Sequence, residues 1–245
     1  MRANLLSFGL IATFFVSPGT SGTQGTSGTQ RPVVTWMIFV DDLHLDFRNT
    51  GRIRNMMKVI ASELIQDGDR FAIASSGPST IAVDVTSDRQ LLADAIKKTT
   101  GNALKYEDIQ SSNSFDEVRY RASIVVGTAE SILKNASRVP GPKALLFISN
   151  GYGVTPPDIL EKLSALTATA TQSGVRVFAI HPRAAFGDDP LQTFRDATWL
   201  AHVTAQITSL RSLSDKTGGF AIVDGYFVDQ LRRINAAVGA PPPKQ

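Results

Sequence analysis

The sequence predicts an α/β domain with a doubly wound, mainly parallel six-stranded sheet, an antiparallel edge strand and helices on both faces. Three observations carry that expectation. Short, almost wholly apolar runs recur at 33–40, 71–74, 143–149 and 175–180, as strands buried on both faces require. Most of them are followed by a segment with a helical pattern, which is the alternation of a parallel sheet. The run 71–74 instead returns through Ser76-Gly77-Pro78-Ser79 into the alternating segment 81–85, a hairpin that places an antiparallel strand at the sheet edge.

The chain opens with a segment read as targeting rather than fold. Arg2 supplies a positive start, residues 5–16 are dominated by Leu, Ile, Phe, Ala and Val, and Ser17, Gly19 and Ser21 offer small residues at cleavage spacing. This apolar stretch falls short of the roughly twenty residues that span a bilayer. Residues 1–19 therefore read as a secretory signal peptide, with an uncleaved N-terminal anchor as the other reading. GTSGTQ then occurs twice in tandem from Gly19. Gly, Ser, Thr and Gln bury too little surface to order themselves, which makes residues 20–31 a flexible linker. The folded domain is expected over 32–238, and the Pro-rich residues 239–245 form a tail.

The first strand, 33–40, ends in Asp41-Asp42. A helix is expected from Arg52, because Ile53, Met56, Met57, Ile60 and Leu64 make one apolar stripe. Gly68 suits a left-handed cap after it. Following the hairpin, Ser87-Asp88-Arg89-Gln90 reads as a capping box that opens a helix to Lys98. Residues 99–113 are polar and irregular. Ser114-Phe115-Asp116-Glu117 reads as a second capping box, opening a long helix to Asn135. The strand 143–149 ends in Asn150-Gly151. A helix then starts at Thr155-Pro156-Pro157-Asp158, where the missing proline N–H does no harm, and stops at Gly174. The fifth strand, 175–180, ends in His181-Pro182. A loop over 183–198 and a helical stretch to Lys216 follow. Gly218-Gly219 stops that helix before a last strand at 220–223 and a closing helix at 226–237.

Composition removes several function classes. The 245 residues carry a net charge of +3 with acids and bases interleaved, so there is no basic footprint for nucleic acid. Cysteine is absent, which excludes a thiol catalyst, a zinc-thiolate site, a disulfide frame and a lipid-bearing N-terminal Cys. In sheets of this kind ligands bind outside the carboxyl ends of the strands, where strand order reverses. The polar residues at those ends are Asp41, Asp42 and His44, then Ser75 and Ser76, then Ser149 and Asn150, then His181.

Several features in their order and spacing resemble a von Willebrand factor A domain. They are the apolar strand ending in Asp41, the antiparallel third strand, Gly68-Asp69-Arg70 before the second strand, LLFISNG, GVRVFAI and LSDKTGGFAIV. The resemblance spans residues 33–237, and its variety is similar to the bacterial exported group related to that family. It implies a protein-binding domain that holds Mg2+ or Mn2+ through Asp-x-Ser-x-Ser after the first strand, a Thr from a middle loop and an Asp before Gly after the fourth. The partner would then supply a carboxylate to the open position.

This chain departs from that pattern. Asp41 stands at the first position, but Leu43 and Leu45 occupy the two Ser positions and cannot ligate. Asn150 replaces the Asp before Gly151, and Ser112 or Ser114 stands for the Thr. The metal-ion site is therefore degenerate, with Asp41, Asp42, His44, Ser112 and Asn150 as its remaining candidates. Two readings of residues 41–46 stay open: a rearranged cation site, in which His44 shifts preference towards Mn2+ or zinc, or a capping Asp with solvated neighbours. Partner contact is expected from Ser75, Ser76, Asn150, Tyr152 and His181. His202 reads as structural or exposed, and Trp199 as core or part of a binding patch.

The function expected is an exported protein-binding module for adhesion or assembly, secreted, periplasmic or in the cell envelope, meeting a membrane only through an uncleaved signal segment. A metal-independent structural subunit of an envelope complex is the alternative. A hydrolase using Asp41 ranks below both, because no acid stands two residues beyond it and there is no Gly-x-Ser-x-Gly elbow or Gly-rich phosphate loop. The sequence thus argues against an enzyme.

Overall fold

Each apolar run becomes a strand. A computed structural model describes residues 31–109, 114–153, 157–186 and 197–239. Within them lie β1 (Thr35–Val40), β2 (Arg70–Ser75), β3 (Ala82–Thr86), β4 (Lys143–Ile148), β5 (Val175–Ile180) and β6 (Ala221–Ile222). They form one sheet in the order β3-β2-β1-β4-β5-β6. All neighbouring pairs are parallel except β2–β3, the hairpin at the edge. The helices are α1 (Thr50–Leu64), α2 (Arg89–Lys98), α3 (Tyr106–Ile109), α4 (Phe115–Ala136), α5 (Pro157–Gln172), α6 (Arg183–Phe186), α7 (Ala197–Asp215) and α8 (Phe227–Gly239). The fold class expected from the sequence is the one observed.

Side-chain alternation along the strands divides the core into two layers. Trp36, Ile38 and Val40 of β1 face α1, α2 and α8, and the α1 stripe of Ile53, Met56, Met57, Ile60 and Leu64 is buried there in full. Met37 and Phe39 face α4, α5 and α7, against Val125, Leu133, Ile159 and Leu210. With both faces covered, the central strands have no room for polar alternation, which is why they read as unbroken apolar runs.

Three local expectations are corrected. The cap of α2 is Asp88, not Ser87: its carboxylate accepts from Gln90 N at 2.9 Å, since the helix begins one residue later than expected. Ser114 does not cap α4. Its backbone is already helical (φ −92, ψ −9), and its hydroxyl donates to the Ile109 carbonyl at 2.9 Å. Gly68 does not cap α1, which ends at Leu64 with Ile65 extended; its φ of +84 serves the turn closed by Asp69 N to Gln66 O at 3.1 Å. The short helices α3 and α6 fall in segments expected to be irregular. Replacing Asp88 by alanine should cost about 1 kcal/mol of stability, as loss of an N-cap does. Urea unfolding would read it, and an unchanged midpoint would show that the cap bond contributes nothing.

Strand order reverses between β1 and β4, so the crevice of this sheet opens where those two strands end. Asp41 N bonds to Ile148 O, Ser149 N to Ile180 O and His181 N to Ile222 O, at 2.9, 3.2 and 2.9 Å. These bonds set Asp41, Ser149 and His181 side by side at the carboxyl ends of β1, β4 and β5.

Candidate functional site

The acids after β1 are fully buried, which obliges each to find donors. Asp41 Oδ2 accepts from Ser149 Oγ at 2.6 Å, and both of its oxygens accept from His44 Nδ1, at 2.9 and 3.0 Å. Asp42 turns the other way, into the β2–β3 hairpin. It accepts from Ser79 N at 2.7 Å and Ser76 Oγ at 2.8 Å. Ser76 Oγ also stands 3.3 Å from Asp41, but its single proton belongs to the nearer Asp42. Asp42 is thus a structural anchor for the hairpin.

The two serines proposed for partner contact are spent internally. Ser76 is buried between the acids, and Ser75 Oγ accepts from Ile81 N at 3.0 Å to close the hairpin. Asn150 is half-buried on the wall of a cavity, and Ser112 lies outside the described residues.

The cavity, of about 340 Å³, occupies the crevice above β1, β4 and β5. Its lining brings together His44, His181 and His202, all three histidines of the chain. Tyr152 packs edge-on against His44 with ring centroids 4.9 Å apart, and Tyr106 packs the same way on His202 at 5.1 Å. Tyr152 is only 3% exposed, and its hydroxyl has no hydrogen-bond partner among the described residues. Burial, and beyond it the Asp41 carboxylate, push that phenol well above its usual value, so it stays protonated. His181 is 7% exposed; its Nδ1 accepts from Arg183 N at 3.1 Å, which leaves the proton on Nε2, and Nε2 has no partner among the described residues. Burial, with the Arg183 charge adding, draws His181 down to about 4, so it is neutral at pH 7.

Helix α7 closes the far side of the cavity. Ser209 Oγ accepts from Tyr152 N at 2.9 Å, and a Cβ on Gly153 would overlap the His202 ring. Trp199 is buried on the same lining, although it joins neither core layer. Sequence reasoning placed His181 and Tyr152 correctly at the strand ends but treated His202 as structural or exposed. The spacing Gly151-Tyr152-Gly153 does signal a close approach of another element, without saying which one.

Whether these residues suit Mg2+ or Mn2+ turns on their oxygens. Such ions need about six oxygen ligands with exchangeable positions. Leu43 and Leu45 are buried in opposite core layers, Asp42 faces the hairpin, and the Asp41 oxygens are already held by His44 and Ser149. Among the described residues no three His, Asp or Glu side chains meet to hold an ion. The residues present do not fit the ion that the resemblance implies.

No protein-family model matches the chain, and no curated protein matches it. Among solved structures, one similar chain is the crystal structure of the TFIIH p34 N-terminal domain. It is 12% identical, with 85% of this chain and 99% of that chain covered, at a TM-score of 0.40. The fold stands on its own topology.

Proposed function

We propose that this chain is an exported protein-binding module that docks a partner at the carboxyl ends of its strands without a metal ion. The observation that carries the reading is the makeup of the cavity and its rim. Phe47, 68% exposed, stands on the lining together with Tyr106, Trp199, Arg48, Arg121 and Arg183. Aromatic side chains and Arg are the residues enriched where proteins anchor one another, because they carry much contact area at little entropic cost. Beneath them Asp41, fully buried at the end of β1, is tied to His44 and Ser149, which suits a rigid floor better than an ion ligand or a nucleophile. A secreted, periplasmic or envelope location rests on the N-terminal segment read as a signal peptide.

The test is capture by the immobilised domain from an envelope extract, compared across two variants. Phe47→Glu should abolish retention of any specific partner, whereas Leu91→Glu, on α2 outside the cavity lining, should leave it intact. Equal loss in both variants, or in neither, would remove the proposed face. A second expectation concerns metal. An ion at a hundred times its dissociation constant adds about 2.7 kcal/mol, several degrees in Tm for a domain of this size. Mg2+, Mn2+, Ca2+ and Zn2+ should each leave the Tm where a chelator leaves it. A shift present in the wild type and absent in Asp41→Ala would restore the ion site.

A further inference from the structure

Two segments free of acids meet at the end of the sheet opposite the cavity. One is residues 31–35, where the chain enters β1; the other is the turn 137–143 between α4 and β4. Thr35 N donates to Pro142 O at 3.0 Å, and a Cβ on Gly141 would lie 3.8 Å from Val33 O. Gly141 has φ +87, a conformation that only glycine takes at little cost, and it lets the turn close against the entering chain. The two segments read Arg-Pro-Val-Val-Thr and Ser-Arg-Val-Pro-Gly-Pro-Lys. Arg70, at the start of β2, adds a further cation by donating to Pro140 O at 3.5 Å.

Most of this charge is not neutralised within the protein. Arg31 is paired with Asp69 at 3.1 Å. Lys143 Nζ donates to Val139 O at 2.7 Å, but that bond and the one from Arg70 go to carbonyls, which leave the positive charge in place. Arg138 is exposed in the same turn. Among the described residues none of Arg70, Arg138 and Lys143 stands in a salt bridge. Uncovered carbon lies beside them: Val33 is 50% exposed, and Pro32 and Pro140 are exposed as well.

The chain outside the domain leads to the same place. Arg31 also donates to Asn235 Oδ1 at 3.2 Å, near the end of α8, so both ends of the folded domain lie at this pole. The apolar residues 5–16 precede Arg31 by fourteen residues, which reach at most about 50 Å. An apolar segment too short to span a bilayer holds to it weakly unless a second attraction is added, and cations facing anionic headgroups supply one.

We infer that this pole rests on an anionic phospholipid surface, with Arg70, Arg138 and Lys143 towards the headgroups and Val33 and Pro140 at the interface. The cavity at the other pole then points away from the membrane. A protein partner fits this patch less well, because protein contacts are anchored by large side chains. The exposed aromatics Phe47, Phe115, Tyr120 and Tyr226 all lie outside both segments.

The experiment is co-sedimentation of the full chain with vesicles of phosphatidylcholine alone, and with vesicles of phosphatidylcholine and phosphatidylglycerol at about two to one. Each cation near an anionic surface adds roughly fivefold to partitioning, so three should favour the anionic vesicles by on the order of a hundredfold. Added salt should erase that preference. The apolar residues 5–16 are common to every variant, so differences between variants report the folded surface. Arg138→Glu should lower binding to the anionic vesicles by roughly fivefold or more at unchanged Tm, since its side chain has no hydrogen bond or salt bridge to lose. Arg138→Lys keeps the charge and should keep the binding. Lys105→Glu, on the cavity lining at the opposite pole, should bind as the wild type does.

Equal binding to both kinds of vesicle would overturn the inference, and so would full binding by Arg138→Glu. Equal losses in Arg138→Glu and Lys105→Glu would also overturn it, by showing an effect of net charge instead of one surface. The outcome is independent of the docking face: Phe47→Glu should bind the vesicles normally whether or not it captures a partner.

Discussion

Asp69→Ala is expected to destabilise the domain by about 3–5 kcal/mol, because it strips the acceptor from several donors at once. The side chain lies at the amino-terminal ends of β1 and β2, opposite the cavity, and is 3% exposed. It accepts from Val34 N and Trp36 Nε1, both at 2.9 Å, and from Gln66 N and Arg31 at 3.1 Å. It therefore ties the entry of the chain, β1 and the α1–β2 turn to one point. Asp69→Asn, which keeps one acceptor oxygen, should lose less.

Burial by itself would raise the Asp69 pKa, but the bonds from Trp36, Val34, Gln66 and Arg31 together outweigh it and hold the group below its ordinary value of 3.8. A depressed value in the folded state means the stabilisation is complete above the unfolded value and is lost as pH falls through the folded one. The stability gap between wild type and Asp69→Asn, measured by urea unfolding, should hold from pH 7 to pH 5 and close below pH 4. A gap that stays level down to pH 3 would show that the carboxylate charge is not what matters.

Gly151→Ala is the second large effect expected, about 3 kcal/mol from the left-handed strain and the overpacking together. Gly151 has φ +77. A Cβ there would press into the Gln206 carbonyl oxygen and come within 2.9 Å of Ser209 Oγ, both on α7. Backbone cannot yield as a side-chain tip does, so α7 must move outward. That motion would break the Tyr152 N to Ser209 bond and displace His202 from the cavity. A loss of Tm by several degrees, together with a changed environment for the histidine ring protons in NMR spectra, is the expected pair of observations. A stable variant with unmoved histidine signals would show that the α7 contact is looser than the geometry indicates.

The parts of the fold legible from sequence were those that burial dictates locally. The stripe from Ile53 to Leu64 points one way because helical residues three and four apart share a face. The strand at 143–148 reads as continuous because helices cover it on both sides. The antiparallel edge strand follows from a turn too short for a crossover. The caps at 87 and 114 went astray because Ser, Asp and Thr all offer an oxygen within one residue of a helix start, and backbone angles choose between them.

The site divides along the same line. Local sequence determined that acids, hydroxyls and a histidine would stand at the strand ends, since a strand that leaves the core must end in groups that tolerate the crevice. Tertiary structure alone decided what those groups do. Ser149 reaches Asp41 across 108 residues, and Ser76 meets Asp42 across 34. His202 arrives on a helix packed against two glycines of another loop. No periodicity encodes such contacts. Each depends on which strands become neighbours, and that is settled by burying both sheet faces at once. Asp41 could therefore be placed at the end of β1 from the sequence, but only the packed sheet showed its carboxylate closed off by His44 and Ser149.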